Sequence, residues 1–418
     1  MANIGVIGLG KLGLPVAVAM NSKGHKVTGY DIMSNPGEYL RKRKIPYQEA
    51  ELQPLLDTHT INIAESIEEV VAASELVFLA VQTPHDPRFE GSERIPEDRK
   101  DFDYKYLLDA IQRVSAAVSE IEKPIHLVVI STCLPGTYEK WIAPFVEENE
   151  LITYHYNPFF IAMGTVLKDF LDPEFVLLGS KGDNSFVKDF YSTIHDRPFM
   201  ETDITTAEGI KVFYNTFITM KTVLANTYGE MAHKIGMNVD DIYKALSMAT
   251  DRIVSPKYLK AGLGDGGGCH PRDNIALSHI AKEVGLSHNI FEDLMAARED
   301  HAEWLANLVV KEAKKAGLPL VMLGRSFKPE TNIETGSPAV LIANIIREQE
   351  FPVEHVEDRE NLEPAVYFIG CEHSRYKNYE FPEGSVVIDP FRFLPKRENV
   401  SYVSIGKPDT INSIRAQV

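Results

Sequence analysis

The sequence is poor in cysteine. Cys133, Cys269 and Cys371 are its three, an odd number at wide spacings. That excludes a disulfide framework and the paired spacing of a zinc site, and no metal ligand set is expected. Positive charge is also short: 43 Lys and Arg against 60 Asp and Glu leave a net charge of −17. Such a balance argues against general binding to nucleic acid or to an anionic membrane surface. No apolar run approaches a membrane span, and Met1-Ala2-Asn3 opens without a basic region followed by an apolar stretch. The expected location is a reducing cytoplasm. Low-complexity segments and short-period repeats are absent as well. A chain of 418 residues, 44% of them hydrophobic, has room for two or three domains with cores of their own.

What is present begins at the N-terminus. Asn3-Ile4-Gly5-Val6-Ile7 reads as a short buried strand running into Gly8-Leu9-Gly10-Lys11-Leu12-Gly13, then an apolar helix through Val16, Val18 and Met20. A second strand, Lys26 to Tyr30, ends at Asp31. This is the dinucleotide fingerprint in its setting of strand, turn, helix and strand. Gly8 makes the turn, Gly10 admits a pyrophosphate, and Gly13 lets helix pack on strand. The helix N-terminus attracts phosphate. Asp31 accepts from ribose hydroxyls and repels a 2′-phosphate, so the expected cofactor is NAD.

Strands then alternate with helices, which predicts a mainly parallel sheet covered on both faces. Leu76 to Val81 and His126 to Ile130 read as buried strands, which places Thr83 and Thr132 at carboxyl ends, where ligands bind in open α/β sheets. His85 to Asp103 reads as a charged, exposed loop, and Val176 to Gly179 as a late strand. A helical block follows: Ile210, Phe213, Phe217, Met220, Val223 and Leu224 recur at helical period between Thr205 and His233. A helix of this length spans domains or builds a dimer interface. Gly236 stops it, and Asn238 caps a second helix carrying Ile242, Leu246 and Met248. The last third restarts the α/β rhythm, with strands at Leu318–Gly324, Val353–Val356, Ala365–Ile369 and Val386–Ile388 and a helix from Ala339 to Glu348. The expectation is an α/β protein: two doubly wound Rossmann-like domains joined by a central helical domain with one long helix. Its boundaries are set at 1–200, 201–300 and 301–418.

Between the helical block and the last third lies Gly262-Leu263-Gly264-Asp265-Gly266-Gly267-Gly268-Cys269-His270-Pro271-Arg272-Asp273. The glycines allow tight backbone and close approach to a ligand. Pro271 suits the first position of a helix, so Cys269 would sit beside its positive end, where a thiol is acidified. A glycine-rich loop with an inert cysteine would read the same way. Lys211 and Asn215, four apart on the long helix, share one face and form a donor pair able to hold a developing alkoxide, although Lys and Asn are also ordinary surface residues. Three other spots carry less. Cys269 and His270 are adjacent and rarely point at each other, His85-Asp86 has no partner at ligand spacing, and Glu372-His373 fits a surface or nucleotide-facing pair.

In chain order, further segments carry a resemblance. They are Val81-Gln82-Thr83-Pro84, Ser131-Thr132-Cys133-Leu134-Pro135-Gly136-Thr137 and Glu208-Gly209-Ile210-Lys211-Val212-Phe213-Tyr214-Asn215. Asp251-Arg252-Ile253, the glycine-rich cysteine run, Gly324-Arg325-Ser326-Phe327-Lys328-Pro329 and Val387-Ile388-Asp389-Pro390 follow. With the N-terminal fingerprint, these resemble the UDP-glucose/GDP-mannose dehydrogenase family over nearly the whole length. The resemblance implies NAD-dependent oxidation of the C6 alcohol of a nucleotide-linked hexose to a carboxylate. It implies Lys211 and Asn215 as the oxyanion holders, Cys269 as the nucleophile, Asp273 as base or water-orienting group, and Thr132 beside the water or sugar. The cofactor residues it implies are Gly8, Gly10, Lys11, Leu12, Gly13, Asp31, Thr83, Thr132 and Arg272. On the substrate side it implies Phe159, Phe160, Arg252, Tyr258, Gly266, Phe327 and Lys328 with Lys211 and Asn215. A nucleotide sugar is the implied small-molecule partner, and a homodimer or higher homo-oligomer the implied assembly.

Departures from the family pattern are specific. Phe159 and Met163 stand where two glutamates are usual, the first thought to assist thioester hydrolysis. Thr335 replaces an arginine, and the crossover between Val356 and Ala365 is short. Pro271-Arg272-Asp273 keeps the charge of the usual Pro-Lys-Asp. Three readings follow: a full 6-dehydrogenase, a variant that stops at a two-electron product or takes an unusual substrate, and a paralogue that binds nucleotide without turnover.

Overall fold

The computed structural model describes residues 1–47, 49–84, 101–162, 164–255, 261–264, 281–334 and 336–405, together with 271, 274, 277 and 278. The side chains of 222, 223, 226, 229, 233 and 404 are also outside the description. Two compact units result, Met1–Met220 and Lys221–Val418.

The first unit is built on eight strands: β1 (Asn3–Ile7), β2 (Lys26–Tyr30), β3 (Asn62–Ile63), β4 (Leu76–Leu79), β5 (Ile125–Val129), β6 (Ile152–Tyr156), β7 (Val176–Ser180) and β8 (Phe199–Thr202). Their order is β3-β2-β1-β4-β5-β6-β7-β8, and β6–β7 is the antiparallel pair. Successive side chains of a strand face opposite ways, and β4 uses both. Val77 and Leu79 join the cluster under α4 (Ile67–Ala73) and α5 (Lys105–Ile121). Leu76 and Phe78 join the cluster under α1 (Gly13–Ser22). Continuous apolar runs are what a sheet buried on both faces requires.

The order reverses direction between β1 and β4, so their carboxyl ends open a crevice at the topological switch point. The two turns there are packed onto each other. Gly8 sits at φ +95°, and a Cβ on it would lie 2.7 Å from the Ala80 carbonyl oxygen. A Cβ on Gly13 would lie 1.9 Å from the carbonyl oxygen of Gly8.

Between α5 and the long helix come α6 (Ala143–Val146), preceded by a π-helical turn at Tyr138–Ile142, then α7 (Val166–Leu171) and α8 (Ser185–Ser192). Two earlier short helices are α2 (Asn35–Lys42) and α3 (Leu52–Thr58). The expected long helix is α9, Ile204–Ile235, 32 residues and about 48 Å at 1.5 Å per residue. Gly236, at φ +78°, ends it. The Asn238 side chain accepts from the Asp240 N–H at 3.0 Å and so caps α10 (Val239–Ser247).

The second unit holds a five-stranded parallel sheet of β9 (Leu320–Leu323), β10 (Glu354–Val356), β11 (Val366–Ile369), β12 (Val386–Asp389) and β13 (Ser401–Ser404), in the order β10-β9-β11-β12-β13. This is a doubly wound order with its own switch point between β9 and β11. Helix Pro338–Glu348 and helix Ile290–Ala316 pack on one face through Ile342, Ile346, Leu305 and Val309. Helix Ile290–Ala316 runs unbroken through residues 300 and 301, where the sequence places its last domain boundary. The fold is thus the expected one of two Rossmann-like sheets with a long helix between them in the chain.

Because the Gly13 site has no room for a methyl group short of moving backbone, Gly13→Ala is expected to cost about 2–3 kcal/mol. Urea unfolding checks this; a variant as stable as the parent contradicts the close packing of turn and helix.

Candidate active site

The first candidate region is the turn after β1. The Gly8 N–H donates to the Tyr30 carbonyl at 2.8 Å, tying the turn to the end of β2. Asp31 follows, and its carboxylate accepts from the Leu9 N–H at 2.7 Å and the Met33 N–H at 2.8 Å. Gly10 is exposed, and a Cβ there would meet nothing within 4 Å, so the outer side of the turn is open. No side chain caps α1 and no acidic residue stands in its first turn. An uncapped helix start behind an open glycine turn leaves N–H donors and the positive end of the dipole for an anion. These residues fit a dinucleotide diphosphate, with exposed Lys11 and half-buried Leu12 on the same turn.

Thr83 and Thr132 meet as their strand-end positions predict. The Thr83 hydroxyl donates to the Thr132 carbonyl at 2.8 Å, and Ser131 Oγ to the Val81 carbonyl at 2.6 Å. The loop that continues from Thr132 is fastened by phenols: Tyr156 OH accepts from the Cys133 N–H at 3.1 Å, and Tyr104 OH from the Leu134 N–H at 3.2 Å. Glu208, fully buried on α9, accepts from the Gly136 N–H at 2.6 Å and the Tyr138 N–H at 2.8 Å. Burial pushes its carboxyl up to about 7, against the pull of the Gly136, Thr137 and Tyr138 N–H groups.

One turn further along α9, Lys211 is 8% exposed. Its ammonium donates to the Phe159 carbonyl at 2.7 Å and lies 5.1 Å from the centre of the Phe160 ring. Burial lowers its pKa from the ordinary lysine value. An ammonium has three donors, and among the described residues the Phe159 carbonyl takes one. Lys211 and the exposed Asn215 line one cleft of about 520 Å³ with Phe160, Phe175, Tyr214 and Glu174. The Phe160 ring lies 4.8 Å from Phe175 and 4.6 Å from Tyr214.

Phe159 behaves differently from its neighbour. Its ring packs 5.6 Å from Phe170, on the α1 side of the sheet, and only its carbonyl reaches Lys211. The sequence shows two adjacent phenylalanines without showing which one faces the cleft.

In the second unit, Phe327 is half-buried and Lys328 exposed just past β9. The turn is held by Glu357 at the end of β10, which accepts from the Arg325 N–H at 2.6 Å, the Ser326 N–H at 3.3 Å and Arg375 Nη2 at 2.8 Å. His373 Nε2 lies 2.8 Å from the same carboxylate. Buried His373 accepts from the Glu330 N–H at 3.1 Å through Nδ1, a structural partner rather than a place on the surface. Arg252 is exposed in the turn after α10. Cys269, Arg272, Asp273, Tyr258, Gly266, His270, Met163, Thr335 and His85-Asp86 lie outside the described residues. The other two cysteines are buried thiols: burial raises Cys133 well above the ordinary thiol range and Cys371 to about 12. No cluster of metal-ligating side chains occurs among the described residues, and no described helix is long and apolar enough to cross a membrane.

The residues that sequence reasoning passed over are Glu208, Phe175 and Tyr214. Glu208 was visible within its motif, but its bonding partners lie some seventy positions earlier in the chain.

Lys211 is expected to titrate below the ordinary ~10.4. Lysine side-chain NMR checks this through a resonance that is absent from Lys211→Met; normal titration of every lysine contradicts the burial. Phe159→Glu is expected to lower the melting temperature, because it places a carboxylate against Phe170. An unchanged melting temperature would show that the ring has turned toward water.

Two family models match this chain. The NAD binding domain of the UDP-glucose/GDP-mannose dehydrogenase family matches residues 2–196, and the central domain of that family matches residues 205–299. A UDP-glucose 6-dehydrogenase of Rickettsia conorii is 27% identical over 354 residues, 82% of this chain and 78% of the relative. A GDP-mannose 6-dehydrogenase of Pseudomonas aeruginosa is 26% identical over 356 residues, again 82% and 78%. The solved ternary complex of GDP-mannose dehydrogenase from Pseudomonas aeruginosa shares the fold with a TM-score of 0.85 at 21% identity, over 96% of this chain and 99% of that one. A UDP-glucose dehydrogenase from Pyrobaculum islandicum gives a TM-score of 0.55 at 26% identity, over 96% and 97%. With the glycine turn, Asp31 and the buried Lys211 already placed, these matches make the chain a member of the UDP-glucose/GDP-mannose dehydrogenase family, with NAD as its cofactor.

Proposed function

We propose that this protein oxidises the C6 alcohol of a UDP-glucose-like nucleotide hexose to the carboxylate, by way of a covalent adduct on Cys269. The observation that carries the reading is the buried ammonium of Lys211, which among the described residues spends one donor on the Phe159 carbonyl, with Asn215 one turn away on the same cleft. The Gly8–Gly13 turn and Asp31 would hold NAD, which would supply a hydride acceptor for each of the two oxidations, alcohol to aldehyde and thiohemiacetal to thioester, one NAD consumed in each.

Lys211 and Asn215 hold the oxyanion that develops at C6, where low dielectric makes a fixed donor worth more than in water. The thiolate of Cys269 adds to the aldehyde carbon and forms a thiohemiacetal. Once that carbon is oxidised, Cys269 carries the acyl group as a thioester. Water breaks the C–S bond, which releases the carboxylic acid and regenerates the thiol. Asp273 takes the proton from that water, and Thr132 orients it or a sugar hydroxyl. Cys133 and Cys371 are poor alternatives to Cys269, since burial holds both as thiols.

Thr83, Thr132 and Arg272 would border the cofactor. Phe160, Arg252, Tyr258, Gly266, Phe327 and Lys328 would border the nucleotide sugar, and Phe159 would contribute its backbone rather than its ring. In this reading residues 1–200 bind NAD, 201–300 carry the catalytic helices and 301–418 bind the nucleotide. The protein is then a cytoplasmic homodimer or higher homo-oligomer. Exposure of Phe213 (67%) and Phe217 (49%) on α9 supports an assembly of that kind.

Assayed on a panel of UDP- and GDP-sugars, the parent is expected to form two NADH per sugar and a product of uronic-acid mass. Cys269→Ser is expected to form no acid. One NADH per sugar would mean a two-electron enzyme, and none a non-catalytic nucleotide binder. Acid formation by Cys269→Ser at the parent rate would overturn the covalent route.

A further inference from the structure

We infer that Glu208 is a positioning residue, which locks the start of α9 and the Lys211–Asn215 pair it carries in register with the loop that presents Thr132. The inference rests on the proposed roles of Lys211, Asn215 and Thr132, and deepens them.

The geometry is specific. Glu208 is 0% exposed, and its two oxygens are divided between two amides of one loop, Gly136 at 2.6 Å and Tyr138 at 2.8 Å. The Thr137 N–H between them donates to the Leu134 carbonyl at 3.0 Å and closes the turn. Burying a carboxylate is costly unless its acceptors are filled. Lys211, one turn on, turns instead to the Phe159 carbonyl, so among the described residues backbone amides compensate this charge. They belong to the start of the π-helical turn at Tyr138–Ile142, whose amides favour an anion.

The loop has few other freedoms. Its Cys133 and Leu134 amides are fixed by Tyr156 and Tyr104, Thr137 Oγ1 reaches the Tyr104 hydroxyl at 3.1 Å, and Thr83 fixes the Thr132 carbonyl. All of those ties run to the sheet or to the start of α5. Among the described residues, beside the apolar packing of Ala207 and Ile210 with Cys133 and Tyr138, Glu208 is the hydrogen-bonding tie that runs to α9. Removing it leaves Lys211 and Thr132 each supported but no longer registered to each other, and a misplacement of about 1 Å is able to cost about 10²-fold in rate.

The charge state adds a signature. Among the described residues, the titratable groups that act on this carboxylate are Glu139 on the π-helical turn, Cys133 on the loop, and Tyr154 and Tyr156 on β6; Lys211 on α9 itself points to the Phe159 carbonyl. Burial holds the thiol and both phenols neutral. Burial also raises Glu208 to about 7, so below neutral pH it gains a proton and gives up one amide. The active form is the ionised one, and turnover falls as pH drops through this value.

The test compares the full-length parent with Glu208→Gln and Glu208→Asp. Glu208→Gln is expected to lower kcat about 10- to 100-fold, to change the KM for NAD less than about threefold, and to lose the limb near neutral pH in its kcat profile. Glu208→Asp keeps the charge with shorter reach, and its kcat is expected to fall between the two. Hydrogen exchange at the Gly136 and Tyr138 amides is expected to rise in Glu208→Gln, and this readout needs no substrate. A lower melting temperature with kcat, pH profile and amide exchange unchanged would overturn the inference. If the parent turns over no nucleotide sugar, the proposed function fails, and amide exchange alone decides the tie: unchanged exchange overturns it, and raised exchange upholds it. If Glu208→Gln does not fold, Glu208→Asp decides, and parent values for its kcat and exchange would overturn the inference.

Discussion

Lys211 is charged at the edge of a protein interior, and much of the site follows from keeping it there. Desolvation weakens an ammonium's hold on its proton, so the charge persists only where acceptors and polarisable faces replace water. The Phe159 carbonyl supplies the acceptor and the Phe160 ring the face. Both come from the chain just past β6, and both need that chain to cross the α9 helix at one height. The helix in turn is pinned through Glu208 to the loop after β5. A donor held this way does not have to reorganise when negative charge appears on a substrate, which is the physical basis of transition-state stabilisation by a fixed site.

The cofactor turn is a second instance of close fit serving chemistry. Gly13 has no space for a side chain because the Gly8 carbonyl occupies it, while Gly10 faces open space. The same few residues thus bring helix and strand together on the inside and leave room for a diphosphate on the outside. Asp31 stiffens the turn from the neighbouring strand by accepting the Leu9 amide. The turn lies at the carboxyl end of β1, where the strand order reverses, and the Phe159–Phe160 segment that meets Lys211 follows the carboxyl end of β6.

Much of this was legible in the sequence, where the signal was local. Apolar runs marked β1, β4, β5 and β9, and the glycine spacing marked the turn. The helical period from Ile210 onward, with Gly236 and Asn238 behind it, marked α9 and its end. Other elements gave no such signal. β6, Ile152–Tyr156, carries polar residues, and His155 is buried because His126 and Asn184 satisfy its ring nitrogens. Helix Ile290–Ala316 is charged along most of its length and buries Phe291 near its start and then a narrow stripe of Ala, Leu and Val. At the site, the four-residue spacing of Lys211 and Asn215 is one that ordinary surface residues share, and the resemblance singled them out; the structure places both on one cleft. The orientation of Phe159 was not legible, since neighbouring residues in extended chain face opposite ways. The role of Glu208 was not either, because the amides it accepts from are remote in the chain.

The central claim is that the Lys211 ammonium holds charge developing at the reacting carbon. The most direct measurement is kcat and KM of Lys211→Met against the parent on the nucleotide sugar that the parent oxidises. Loss of one such donor is expected to lower kcat by about 10²- to 10³-fold, with a much smaller change in KM. A variant that turns over at the parent's kcat would contradict the account.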